Sequence, residues 1–118
     1  GASSITTYTV TVASYYGANY FYIDGSRAAT LNLSEGQTYK FSQSDSSNSS
    51  HPLRFSTTSD GTHGGGSEYT TGVTTNGTPG SSGAYTQIEV ASGAPTLYYY
   101  CTNHSGMGGQ INTWHIQN

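Results

Sequence analysis

The chain has 118 residues, the length of one domain, and we expect residues 3–118 to form a single unit with a hydrophobic core. Its formal net charge is -3, and its three basic residues are scattered, which argues against a nucleic-acid-binding surface. No apolar run approaches the roughly 20 residues of a membrane-spanning helix, so no membrane span is expected. Ser and Thr contribute 18 residues each and Tyr 11, a composition that favours short β-strands joined by turns.

Alternating apolar and polar residues predict the strands of the first half of the chain. The predicted strands are 6–13, 20–23, 30–33, 37–42 and 51–56. The second and third should form a hairpin, because the Asp24-Gly25 pair supplies the positive φ angles that a tight turn needs. Pro52 lacks a backbone N–H and biases the residue before it towards extended geometry, so His51 should stand at the mouth of its strand.

The second half begins with a long polar segment, 57–83, which has no periodicity and is interpreted as loops with one short edge strand. Strand character returns at 84–90, in an aromatic run that ends at Cys101, and at 110–117. Seven or eight short strands without any helical period predict an all-β fold, an antiparallel β-sandwich.

Three residues with metal-ligand chemistry lie close together after the aromatic run. Cys101 and Met107 are the only residues of their types, and His104 lies between them. A single Cys cannot form an intramolecular disulfide, which leaves a buried structural thiol, a free reactive thiol or a metal ligand. Copper fits this set best, because two imidazoles, one thiolate and a weak axial thioether suit both of its oxidation states, whereas zinc gains nothing from Met.

The loop Cys101-Thr-Asn-His104-Ser-Gly-Met107 resembles the copper loop of the cupredoxins, the small type 1 blue copper proteins of the plastocyanin and amicyanin kind. The resemblance implies a Greek-key sandwich, one Cu(I)/Cu(II) ion and a second His ligand at the rim of an earlier strand, near the middle of the chain. His51 occupies that place. The implied metal ligands are therefore His51, Cys101, His104 and Met107.

One departure from the family pattern concerns the support of the ligands. Many cupredoxins have an Asn after the first His, which helps to lock the Cys loop, whereas Pro52 stands here. Asn48, Ser49 and Asn103 are the candidates to orient the ligands instead. The other two histidines are not expected to bind metal: His63 is predicted to be a mobile-loop residue, and His115 an outward-facing strand residue.

The resemblance implies electron transport, with one electron passing by way of an exposed His104 to a redox partner protein or a small redox molecule. The alternative is a structural or adhesive surface module, alone or as one unit of a larger protein, in which copper is stabilising or vestigial. The lack of a charged docking patch favours that alternative, because soluble carriers usually steer their partners with charge.

A copper enzyme is not expected. The sequence has no His-x-His pair for a multicopper cluster, and a full ligand set leaves no open position for a substrate. The Ser/Thr/Gly-rich, lysine-poor composition predicts a secreted protein with an extracellular, cell-surface or periplasmic location.

Overall fold

The structure is a computed structural model, and it describes residues 4–115. Alternating residues build eleven β-strands within that range. The strands are β1 (Ile5–Tyr15), β2 (Ala18–Ile23), β3 (Ser26–Arg27), β4 (Leu31–Ser34), β5 (Thr38–Ser42), β6 (Leu53–Ser56), β7 (Glu68–Tyr69), β8 (Val73–Asn76), β9 (Tyr85–Glu89), β10 (Leu97–Cys101) and β11 (Gly109–Trp114). Two short 3-10 helices, Ser46–Asn48 and Gly61–Gly64, lie in the connections. No helix among the described residues is long and apolar enough to cross a membrane.

The strands form two sheets, one in the order β3-β2-β1-β5-β9-β8 and the other in the order β4-β11-β10-β6-β7. The prediction of an all-β fold is confirmed. The expectation of purely antiparallel sheets is wrong, because β1 pairs with β5 and β11 with β4 in parallel. These parallel pairs form because strands distant in sequence become neighbours when the chain crosses from one sheet to the other.

The inward faces of the two sheets share one core. Phe41 of the first sheet packs against Phe55 and Tyr99 of the second, with ring centroids 5.4 and 6.4 Å apart. Phe41 and Phe55 are fully buried, and Tyr99 is 1% exposed. Aromatic pairs at these separations stabilise a core beyond the area that they bury, so these contacts hold the sheets together as a two-layer sandwich.

The predicted hairpin is corrected by the structure. The Asp24-Gly25 turn does carry positive φ angles, 49° and 85°, but it joins β2 to the two-residue strand β3. Strand β4 instead crosses to the other sheet, where Leu31 pairs with Ile111 of β11. Its leucines are core residues of that sheet, and this packing decides the partner of β4 more strongly than the nearby turn does.

The number of strands exceeds the prediction because the edge strands are short. The segment 57–83 holds two of them, β7 and β8, where one was expected. A two-residue strand carries no detectable periodicity. The last predicted strand, 110–117, is confirmed up to Trp114, and residues 116–117 lie outside the described residues, as do the first and last residues of the predicted unit 3–118. That unit stays a prediction.

Candidate metal centre

Three of the four predicted ligands come together at one end of the sandwich. The Sγ atom of Cys101 lies 3.7 Å from Nδ1 of His51 and 3.6 Å from Nδ1 of His104. The donor atoms of these three residues all lie within 4.8 Å of one another, so the group could hold a metal ion.

The distances agree with simple coordination geometry. A metal about 2.3 Å from a thiolate and about 2.0 to 2.1 Å from an imidazole nitrogen, with a bond angle of about 110° to 120°, separates the two donors by about 3.5 to 3.8 Å. Both sulfur-to-nitrogen distances, 3.7 and 3.6 Å, fall in this interval. One thiolate and two imidazoles therefore fit a metal of either tetrahedral or trigonal preference.

Strand pairing explains why these side chains meet. Cys101 ends β10 and pairs with Leu53, the first residue of β6. The register continues past the strand ends, where the Thr102 N–H donates to the Pro52 carbonyl at 3.1 Å. His51, directly before Pro52, is thereby placed beside the loop that follows Cys101. The prediction that His51 stands at the mouth of its strand is confirmed.

The three ligands differ in their access to solvent. Cys101 is fully buried, His51 is half-buried and His104 is exposed. Burial raises the pKa of the Cys101 thiol, and burial followed by the charge of nearby His104 lowers the pKa of His51. Without metal, the site therefore favours a protonated thiol and a neutral His51, and metal binding has to release the thiol proton.

Met107 lies on the same loop and is 1% exposed. Its carbonyl accepts a hydrogen bond from the Phe21 N–H at 2.9 Å, which ties the end of the loop to β2. Met107 also lines an open groove of about 560 Å³ together with His104 and Tyr20. A packing methionine would be buried in the same way, so a ligand role for its thioether stays a prediction.

A buried amide pair holds the segment that carries His51. Gln43 donates from Nε2 to the His51 carbonyl at 2.7 Å and to Asn48 Oδ1 at 3.0 Å, and its Oε1 accepts from the Leu53 N–H at 3.0 Å. The Asn48 side chain donates to the carbonyl of Val10 at 2.7 Å. Gln43 and Asn48 are 1% and 0% exposed, so these bonds are protected from water.

Two of the three residues proposed from the sequence as ligand supports contact this segment. The Asn48 carbonyl accepts from the His51 N–H at 2.8 Å, and Asn103 Nδ2 donates to the Ser50 carbonyl at 3.0 Å. Ser49 instead donates its N–H to Ser46 within its own turn. Gln43 was not predicted from the sequence, where it lies in the polar run 42–50, although it continues the alternation of the buried residues Tyr39 and Phe41.

The two histidines that were not predicted to bind metal, His63 and His115, have different surroundings. His115 is exposed and lies 2.9 Å from a Glu35 carboxylate oxygen, so its outward position is confirmed, but it follows β11 and does not belong to the strand as predicted. His63, predicted to be a mobile-loop residue, lies in the 3-10 helix Gly61–Gly64 and places Nε2 2.8 Å from the carbonyl oxygen of Cys101. It therefore adjoins the candidate metal centre, which the glycine-rich sequence around it did not indicate.

No protein-family model and no curated protein sequence matches this chain. The fold and the site therefore define its class on their own: an all-β protein of two packed sheets with a His-Cys-His group that could hold a metal.

Proposed function

We propose that this chain is a type 1 blue copper-binding domain of the cupredoxin kind. It binds one copper ion through His51, Cys101, His104 and Met107 and transfers one electron at a time. The observation that carries the proposal is the placement of the two Nδ1 atoms at 3.7 and 3.6 Å from the Cys101 sulfur.

The donor chemistry supports copper over other metals. Two imidazoles and a thiolate are ligands that copper accepts in both oxidation states, and a buried thioether on the same loop suits a weak axial position. Zinc would use the first three groups but gain nothing from the fourth. Bound copper would supply a Cu(I)/Cu(II) couple for one-electron transfer.

The protein contributes rigidity and access. The backbone of His51 is fixed by the buried Gln43 side chain and by the Asn48 backbone carbonyl, and Cys101 is fixed by the β6–β10 pairing. The donor positions should therefore change little with oxidation state. His104 is exposed and forms the solvent-facing edge of the site. Its imidazole is our proposed route for the electron to a redox partner protein or small redox molecule.

We also propose that the two sheets are connected in a Greek-key arrangement. The chain crosses between the two sheets at the β3–β4, β4–β5, β5–β6, β7–β8 and β9–β10 connections, which supports a Greek-key arrangement. We also propose a non-enzymatic role and an extracellular, cell-surface or periplasmic location, on the basis of the Ser/Thr-rich composition with only 8% charged residues.

Titration with Cu(II), followed by visible absorption, tests the copper proposal. We expect an intense band in the red region that saturates at one copper per chain, and its loss in Cys101→Ser, which removes the thiolate but is nearly isosteric. His115→Ala is the matched control, because His115 is bound to Glu35 at the surface and should leave the band unchanged. Retention of the band in Cys101→Ser would exclude Cys101 as the ligand.

A second candidate function is a structural or adhesive surface module with a stabilising or vestigial copper site. The observation that favours it is the β1–β2 turn, where Tyr16 is 92% exposed and packs edge-on against Tyr15 at 4.5 Å. Exposed aromatic rings are frequent in binding surfaces. Slow electron exchange between the copper-loaded protein and small redox molecules, unaffected by His104→Ala, would favour this module over the carrier.

A further inference from the structure

The connection between β6 and β7 contacts the loop that carries three of the proposed metal ligands. We call residues 58–66 the covering loop and residues 101–107 the metal loop. Near the start of the metal loop, His63 Nε2 lies 2.8 Å from the Cys101 carbonyl oxygen, and because a carbonyl can only accept, His63 donates. Near its other end, Asp60 Oδ1 accepts from the Gly106 N–H at 2.9 Å. One segment therefore holds both ends of the metal loop.

The covering loop has an ordered backbone of its own. The Gly61 N–H donates to the Thr58 carbonyl at 2.9 Å, and the Gly66 N–H donates to the Gly61 carbonyl at 3.0 Å. Gly61 has a φ of 55°, and a Cβ atom there would lie 2.5 Å from the ring of Tyr100. The loop thus sits directly on the residue before Cys101, in a position that only glycine permits.

The bond from Asp60 acts at the point where the metal loop turns towards Met107. Gly106 has a φ of 79°, so the chain reverses there. Asp60 holds its N–H on one side, while the Phe21 N–H holds the Met107 carbonyl on the other. The backbone of Met107 is thereby fixed between two separate parts of the fold.

We propose that Asp60 is a positioning residue for the metal loop: by accepting from Gly106, its carboxylate sets where Met107 stands relative to Cys101, whose carbonyl His63 holds. This inference rests on the proposed metal site.

The backbone of Asp60 allows a matched pair of variants. Its φ of 63° is in the left-handed region, which Asn adopts at least as readily as Asp. Asp60→Asn therefore keeps the fold of the loop and an acceptor oxygen for Gly106, whereas Asp60→Ala removes the acceptor. If Asp60 positions the metal loop through this bond, Asn should rescue what Ala loses.

The first measurement needs no metal. Amide hydrogen exchange of Gly106, followed by NMR in the metal-free protein, should be slow in the wild type and Asp60→Asn and at least several-fold faster in Asp60→Ala. The second is copper affinity, for which we expect a loss of about tenfold in Asp60→Ala, the lower end of the effect of removing outer-shell partners, and little loss in Asp60→Asn. The red-region band should shift in Asp60→Ala alone.

The results of these measurements distinguish a failure of the role of Asp60 from a failure of the copper proposal. Unchanged Gly106 exchange and unchanged copper affinity in Asp60→Ala would overturn the role of Asp60, as would an Asp60→Asn protein as impaired as Asp60→Ala. If neither the wild-type protein nor any variant binds copper, the proposed function fails, whereas slow Gly106 exchange that depends on Asp60 would still establish the contact.

If Asp60→Ala does not fold, His63→Phe tests the other end of the metal loop, because Phe keeps a ring against Tyr100 but cannot donate a hydrogen bond. This variant should bind copper more weakly than the wild type. Copper affinity equal to that of the wild type would count against the proposal.

Discussion

Replacing Gln43 with Leu should destabilise the fold and the candidate metal centre together. The Gln43 side chain is the partner of three polar groups: Asn48 Oδ1, the His51 carbonyl and the Leu53 N–H. Leu matches the size of the side chain but can donate and accept nothing. Gln43 is 1% exposed, so the groups left without this partner are largely shielded from solvent.

The magnitude follows from the number of groups affected. Leaving a buried polar group without a partner costs about 1 to 3 kcal/mol, so three such groups predict a loss of about 3 kcal/mol or more in the free energy of unfolding. That is a large share of the roughly 5 to 15 kcal/mol that stabilises a typical domain. Copper affinity should fall as well, because the His51 backbone loses its fixed position.

Urea denaturation of the metal-free protein measures this loss, and copper titration measures the effect on the site. Gln110→Leu is the matched control, because Gln110 is exposed and its side chain bonds only to that of the partly exposed Asn112 among the contacts of the described residues. That variant should remain within about 0.5 kcal/mol of the wild type. A Gln43→Leu protein that loses less than about 1 kcal/mol would refute the assignment of a structural network around His51.

Three further predictions concern the metal and the titration of the site. Met107→Leu should keep copper but raise its reduction potential, because a thioether donor to Cu(II) is lost; an unchanged potential by voltammetry would show that Met107 is a packing residue. In the metal-free protein, NMR titration should give His51 a pKa below its ordinary value of 6.5, owing to burial and then His104. Because this folded-state pKa is depressed, the stability linked to His51 is present above pH 6.5 and is lost as the pH falls through the folded pKa. The urea midpoint should therefore decrease as the pH falls from 6.5 to the folded pKa. A His51 pKa at or above 6.5 would contradict the placement of the ring. The metal-free protein should be folded by circular dichroism, with a melting temperature that rises when copper is added, and an unfolded metal-free chain would make the metal structural.

The metal loop could be predicted from the sequence because three of the proposed ligands lie close together in the chain. Cys101, His104 and Met107 lie within one turn between two strands, so their proximity depends on no long-range pairing. The position of His51 followed from Pro52, which acts on the residue next to it. Strand character at 84–90 was likewise predictable from local alternation, and β9 (Tyr85–Glu89) lies there.

The rest of the site depends on contacts between distant segments. The Asp60–Gly106 bond joins residues 46 positions apart, and the His63–Cys101 bond joins residues 38 apart. A period of two tells which face of a strand is buried but not which strand lies beside it. For the same reason the parallel pairing of β4 with β11 was not predictable from Asp24-Gly25, and the covering loop was interpreted only as polar sequence.

X-ray absorption spectroscopy of the copper-loaded protein is the decisive measurement for the metal centre, because it reports the atoms bound to the metal. We expect one short bond to sulfur and two bonds to imidazole nitrogen, with the short sulfur bond absent in Cys101→Ser. A copper ion surrounded only by nitrogen and oxygen atoms in the wild-type protein, with a spectrum unchanged in Cys101→Ser, would contradict the assignment of His51, Cys101 and His104 as a type 1 copper site.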